Sequence, residues 1–128
     1  MVLLREIEVE NIIREFLKKD DFSVVPRVRA QGVDIVARKN NIQYYVEVEG
    51  NKKPDGISPL TTTQKYTHYF RAIGQLAFRI SEYTDGQFIL ALPDDEYYRD
   101  KVNKTMPAFR KLGIVVYFVT KEGLDVLE

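Results

Sequence analysis

Three carboxylates, Asp34, Glu47 and Glu49, are the residues whose types and spacing could do chemistry. Asp34 lies in Gly32-Val33-Asp34-Ile35-Val36 and the other two in Tyr45-Val46-Glu47-Val48-Glu49-Gly50, both stretches that read as strands. Side chains alternate along a strand, so Glu47 and Glu49 share one face while Val46 and Val48 take the other. The short turn at Lys39-Asn40-Asn41 lays the Asp34 strand antiparallel to the Glu47 strand and brings a third carboxylate beside the pair. Such a cluster repels itself unless a hard cation binds, and oxygen-rich sites suit Mg²⁺ or Mn²⁺. The chain has no cysteine, so any metal falls to oxygen ligands or to the single histidine, His68.

The elements that must position these acids follow from hydrophobic periodicity. Val9, Ile12, Ile13, Phe16 and Leu17 recur at helical spacing and predict an amphipathic helix over 6–19, with Arg14, Glu15, Lys18 and Lys19 turned largely away. Strands are expected over 22–30, 33–38 and 42–49, with Gln31-Gly32 as a turn between the first two. Residues 50–65, with Pro54, Gly56, Pro59 and Thr61-Thr62-Thr63, lack periodicity and read as a long substrate loop. A second helix is expected over about 67–82, a buried strand over 87–92, a third helix over 94–112 interrupted near Pro107, and a last strand over 114–119. The order is αβββαβαβ in a single domain spanning 1–128.

Composition bounds the answer without choosing it. Hydrophobic residues make up 45% of 128, enough for one ordinary core. Lys plus Arg and Asp plus Glu each total 19, so charge offers no basic signature for nucleic acid and excludes none. No apolar run approaches a membrane span, and the lack of a signal peptide or cysteine leads us to expect a soluble, cytoplasmic protein.

A helix, a hairpin bearing G-x-D, a strand bearing Glu47-Val48-Glu49, a following helix and another strand, over about residues 6 to 92, together resemble the restriction-endonuclease-like, or PD-(D/E)xK, nuclease superfamily. The layout is most similar to Mrr-type endonucleases and archaeal Holliday-junction resolvases. The resemblance implies an α/β fold with an αβββαβ core and a central mixed sheet flanked by helices. It implies a metal held by Asp34, Glu47 and the Val48 carbonyl, which activates a water against a DNA phosphodiester. It further implies a helical acid, at Glu10, and a glutamine on the helix after the third strand, at Gln75. The family lysine is replaced by Glu49, which could act as a base or a further metal ligand. The missing cation could come from Lys52 or Lys53 beyond the strand, or from Arg71 or Arg79 on the second helix.

Each signal has a plainer reading. An Asp followed by a Glu across a hairpin is commonly just solvated, and the joint match raises it above that level. Glu10 is as readily an exposed helical acid; Gln75, close to an apolar stripe, needs a partner if it is buried. Lys52, Lys53 and Lys65 bracket the long loop and read first as solvated, with phosphate contact the sharper reading, and a lone His68 at a helix start reads as structural or solvent-exposed. The expected function is a metal-dependent DNA endonuclease or resolvase-like phosphodiesterase, with DNA as partner and a homodimer as one assembly it could take. The rivals are a catalytically inactive nuclease fold that binds DNA or a protein, and a structural component that dimerises.

Overall fold

A computed structural model describes residues 2–27 and 33–128. Gly32, the Gln31-Gly32 turn and the end of the strand expected over 22–30 lie outside the described residues. The elements are α1 (Glu6–Lys19), β1 (Ser23–Val24), β2 (Ile35–Lys39), β3 (Ile42–Val48), α2 (Thr62–Glu82), β4 (Gln87–Pro93), α3 (Glu96–Leu112), β5 (Ile114–Val119) and β6 (Leu124–Leu127). The six strands form one sheet in sequence order. β1–β2, β2–β3 and β5–β6 pair antiparallel, while β3–β4 and β4–β5 pair parallel. The mixed sheet flanked by helices is the fold class that the sequence leads us to expect.

Sheet alternation divides the core in two. Leu4, Val9, Ile13 and Leu17, from α1 and the segment before it, pack on Val46, Val48, Ile89 and Ala91. On the opposite face Tyr69, Ala72 and Leu76 of α2 and Tyr98, Val102 and Phe109 of α3 cover Tyr45, Phe88, Leu90 and Val116. β4 reads as a continuous apolar run because it is covered on both sides. Fully burying a side chain such as Tyr69, Tyr98 or Phe109 stabilises the fold by roughly 2 kcal/mol.

Four local features differ from the sequence expectation. The loop after β3 is shorter than 50–65, because Thr61 caps α2: its hydroxyl accepts from the Gln64 amide and the Gln64 side chain accepts from the Thr61 amide. α3 runs through Pro107 without a break. Pro107 and Asn103, the residue whose carbonyl loses its helical partner, are both exposed, so water can satisfy that carbonyl. β6 is an addition to the expected order; Thr120 Oγ1 accepts from the Glu122 and Gly123 amides and turns the chain back onto β5. The first strand shortens to Ser23–Val24 among the described residues.

Candidate functional site

The β2–β3 hairpin sets the spacing of the first two acids. Asn40 and Asn41 both take positive φ, 53° and 64°, the conformation that a two-residue hairpin turn requires. The resulting register pairs Ile35 with Val46, which leaves Asp34 just before β2 and level with the end of β3. There Asp34 Oδ2 accepts a 2.8 Å hydrogen bond from the Val48 amide. Its backbone is held from α1, where the Arg14 guanidinium donates to the Asp34 carbonyl at 3.1 Å, the Val25 carbonyl at 2.8 Å and Glu10 Oε2 at 2.9 Å. Arg14 is thus turned inward, contrary to its expected outward placement, because it carries the polar contacts between helix and hairpin.

Glu47 stands on the α2 side of β3, the face expected for it, and is 3% exposed. Its Oε1 is buried with no hydrogen-bond partner among the described residues. A carboxylate oxygen in that position needs a proton or a cation. Burial, then the charge of Asp34 and the hydrogen bond that a protonated Glu47 would donate to it, push the Glu47 carboxyl well above the ordinary range. Burial also raises Asp34, against the lowering effect of the Val48 amide. Hard oxygen donors from Asp34, Glu47 and the Val48 carbonyl fit Mg²⁺ or Mn²⁺, since Mg²⁺ commonly takes one or two carboxylates and keeps several waters.

Glu49 is a near neighbour, not a third arm of one coordination shell. Although buried, its Oε2 lies 3.0 Å from His68 Nδ1 on α2. Among the described residues no group of three or more Asp, Glu or His side chains is placed to hold a metal ion. In place of three carboxylates sharing one or two ions, the structure sets an Asp34–Glu47 pair beside a Glu49–His68 pair. Burial, then the charge of Glu6, raises the Glu49 carboxyl to about 8. Burial and Arg71 lower His68, so near neutral pH the Glu49–His68 contact holds a neutral imidazole against a carboxyl that keeps its proton. His68 is accordingly a polar partner of the acid cluster, beyond the structural residue that its isolation in the sequence suggests.

The remaining expected site residues divide. Glu10 is buried, reaches the electrostatic surroundings of Asp34, and is paired with Arg14 and with Arg27, the latter at 2.6 Å. Those two guanidiniums hold it, so it is not a bare ligand. Gln75 is exposed, which removes the requirement for a buried partner. Lys52 sits opposite Pro59 in a bridge across the 51–60 loop, and Lys53 acts on Asp55. The cations that act on the acids come from the helices instead: Arg79 and Arg71 of α2 on Glu47 and Glu49, and Arg14 of α1 on Asp34. The reason is geometric, since β3 runs under α2 while the loop turns away toward α1. Arg79 donates from its terminal nitrogen to Glu82, and its Nε is buried without a partner among the described residues.

Glu6 is a polar residue that sequence reasoning passed over, and Arg14 and His68 are two that it placed away from the site. The Glu10/Arg14 spacing of four on one helix was the available signal for Arg14. Glu6 lies one helical turn before Glu10 and acts on both Asp34 and Glu49, although it is itself exposed. A cavity of about 350 Å³ opens beside this cluster, with Glu6, Glu10 and His68 in its lining. A second, of about 260 Å³, lies on the Asp34 side and includes Arg14 and Tyr45. Asp34 lines the second cavity, and Glu47 and Glu49 line neither, so the three acids do not share the one concave surface that strand alternation leads us to expect.

No family model and no curated protein matches the chain. Among the helices of the described residues, none is long and apolar enough to cross a membrane. Among solved structures, the chain is similar to an XisH family protein from Nostoc punctiforme PCC 73102, with a TM-score of 0.58 and 17% identity, over 94% of this chain and 98% of that one. At this identity the likeness is one of fold, and it supports the mixed α/β architecture with its central sheet and flanking helices.

Proposed function

We propose that the chain is a metal-dependent DNA phosphodiesterase of the restriction-endonuclease-like type. One observation carries the reading: Glu47 Oε1 is buried without a partner among the described residues, next to Asp34, at the position for which the nuclease resemblance implies a metal-binding acid. Asp34, Glu47 and the Val48 carbonyl would hold Mg²⁺ or Mn²⁺, which when bound lowers the pKa of a coordinated water and neutralises charge on the phosphate. The protein's own part is to fix that geometry. The Val48 amide and Arg14 hold Asp34, and β3 carries Glu47 under α2. Arg79 and Arg71 provide positive charge on the same side, in the role the absent lysine would otherwise fill.

A second reading, a DNA-binding module without turnover, draws support from Glu49, which stands in the lysine position and is occupied by His68. Nicking of supercoiled plasmid with Mg²⁺ or Mn²⁺ separates the two. The enzyme reading expects nicking that Asp34→Asn abolishes with DNA affinity kept or increased, because one repulsive carboxylate is gone. Binding without cleavage, with either metal, would favour the module.

A further inference from the structure

We propose that the cavity between α1 and the 51–60 loop is a subsite for one unpaired nucleotide, so that the preferred DNA contains a boundary between paired and unpaired strand. The inference rests on the nucleic-acid reading above and adds the class of substrate. At about 350 Å³ the cavity is of small-ligand size. Ile7, Pro54 and Leu60 give it apolar wall, the surface against which a base packs. Arg5 and Lys52 share that lining and are suited to the attached phosphates. Glu6, also in the lining, offers an acceptor to an exocyclic amine, as carboxylates do toward cytosine. Apolar wall with both signs of charge matches a nucleotide, whereas a bare phosphate would need only the cations.

The loop over this cavity supplies an independent observation. Ile57 is 80% exposed at the tip. A single exposed isoleucine is ordinary, but the backbone presenting this one is held by several hydrogen bonds. Asp55 Oδ1 accepts from the Ile57 amide at 2.8 Å and from the Ser58 amide at 3.1 Å. The Lys53 amide donates to Ser58, the Gly56 amide to Lys53, and the Leu60 amide to Asn51. Gly56, at φ 77°, makes the turn where a side chain would be strained, and a Cβ there would come within 3.7 Å of the Arg5 side chain. The tip is therefore fixed beside the cavity and presents an apolar wedge that can pack where the last base pair gives way to the unpaired strand.

The test measures binding of labelled DNA by fluorescence anisotropy in Ca²⁺, comparing a blunt duplex with the same duplex carrying a single-stranded tail. Wild-type protein is expected to bind the tailed DNA about tenfold more tightly, the effect of one stacked base. Ile57→Ser, at an exposed position, and Ile7→Trp, which fills the cavity, should each remove that preference while leaving blunt-duplex affinity unchanged. Equal affinity of the wild type for both DNAs overturns the subsite and leaves the nucleic-acid reading standing. A tail preference that survives in both variants overturns its assignment to this cavity. Binding to neither DNA overturns the subsite and the nucleic-acid reading together.

Discussion

At the scale of single residues, the site is a set of acids held under conditions that oppose their charge. Glu47, Glu49 and Asp34 all have native pKa values raised, mainly by burial. A carboxyl whose pKa is higher in the folded state favours folding most below its unfolded value and loses that contribution as pH rises toward the folded one. For Glu49 the window runs from its ordinary 4.5 to about 8. Within such a window each group costs about 1.4 kcal/mol of stability per pH unit. His68 works in the opposite direction below its ordinary 6.5, because its native pKa is lowered. In EDTA the urea midpoint should therefore fall from about pH 6.5 to about pH 8.5, the range in which the raised carboxyls ionise and His68 no longer titrates. Glu49→Gln should flatten the fall, and Glu47→Gln should be more stable than wild type at the alkaline end of that range. A wild-type midpoint that does not change with pH would mean that these carboxyls are not desolvated as described. Asp95 and Asp94, whose pKa values are lowered, contribute stability that is lost only at more acidic pH and do not enter this range.

At the scale of elements, one joint holds the site together. The Cβ of an alanine at Gly50 would lie 2.5 Å from the Glu6 amide nitrogen and 2.8 Å from the Leu4 carbonyl oxygen. Both are backbone atoms, so the start of α1 would have to move away from the end of β3. Next to it the buried Asn51 accepts from the Leu4 amide and donates to the Val2 carbonyl and to Asp95, which in turn pairs with Lys65 at 2.7 Å and caps α3. Gly50→Ala should cost about 1–3 kcal/mol, and Asn51→Ala about 2–3 kcal/mol for the polar groups left without partners. Both are measurable by urea denaturation, and an unchanged midpoint for Gly50→Ala would show that the α1 start is free to shift. Much of this level was legible in the sequence: the bounds of α1, the Asn40-Asn41 turn and the alternation that puts Glu47 and Glu49 on one face all follow from local periodicity. The start of α2 was legible too, in Thr61 and Gln64, but a run of threonines after two prolines resembles loop composition more than a capping box. The Glu49–His68 contact and the turn of Arg14 toward Asp34 were not legible, because each depends on how a helix is rotated over the sheet.

At the scale of the whole molecule, the zero net charge conceals a local separation of sign. Acids converge from α1, the start of β2 and the end of β3, while Arg71 and Arg79 of α2 and Lys52 of the loop stand around them. Toward alkaline pH, where the raised carboxyls ionise, metal-free protein should hence repel phosphate at the centre and attract it only at the margin. A bound divalent ion reverses the central potential, as ions do when they are the largest local charge. At constant ionic strength, replacing EDTA by Ca²⁺ should tighten DNA binding by the wild type about tenfold or more, an increase on the order of 1.4 kcal/mol. Asp34→Asn should bind better than wild type in EDTA yet respond little to Ca²⁺, since one carboxylate is lost from both the repulsion and the ion site. Salt dependence provides the internal check: the slope of log affinity against log salt changes by about 0.9 for each phosphate that the protein engages or releases. Because the metal should act at the centre and leave the marginal cations in place, that slope should differ by no more than about one phosphate between EDTA and Ca²⁺. If Ca²⁺ leaves wild-type affinity unchanged, the Asp34–Glu47 pair is not where the ion meets the DNA.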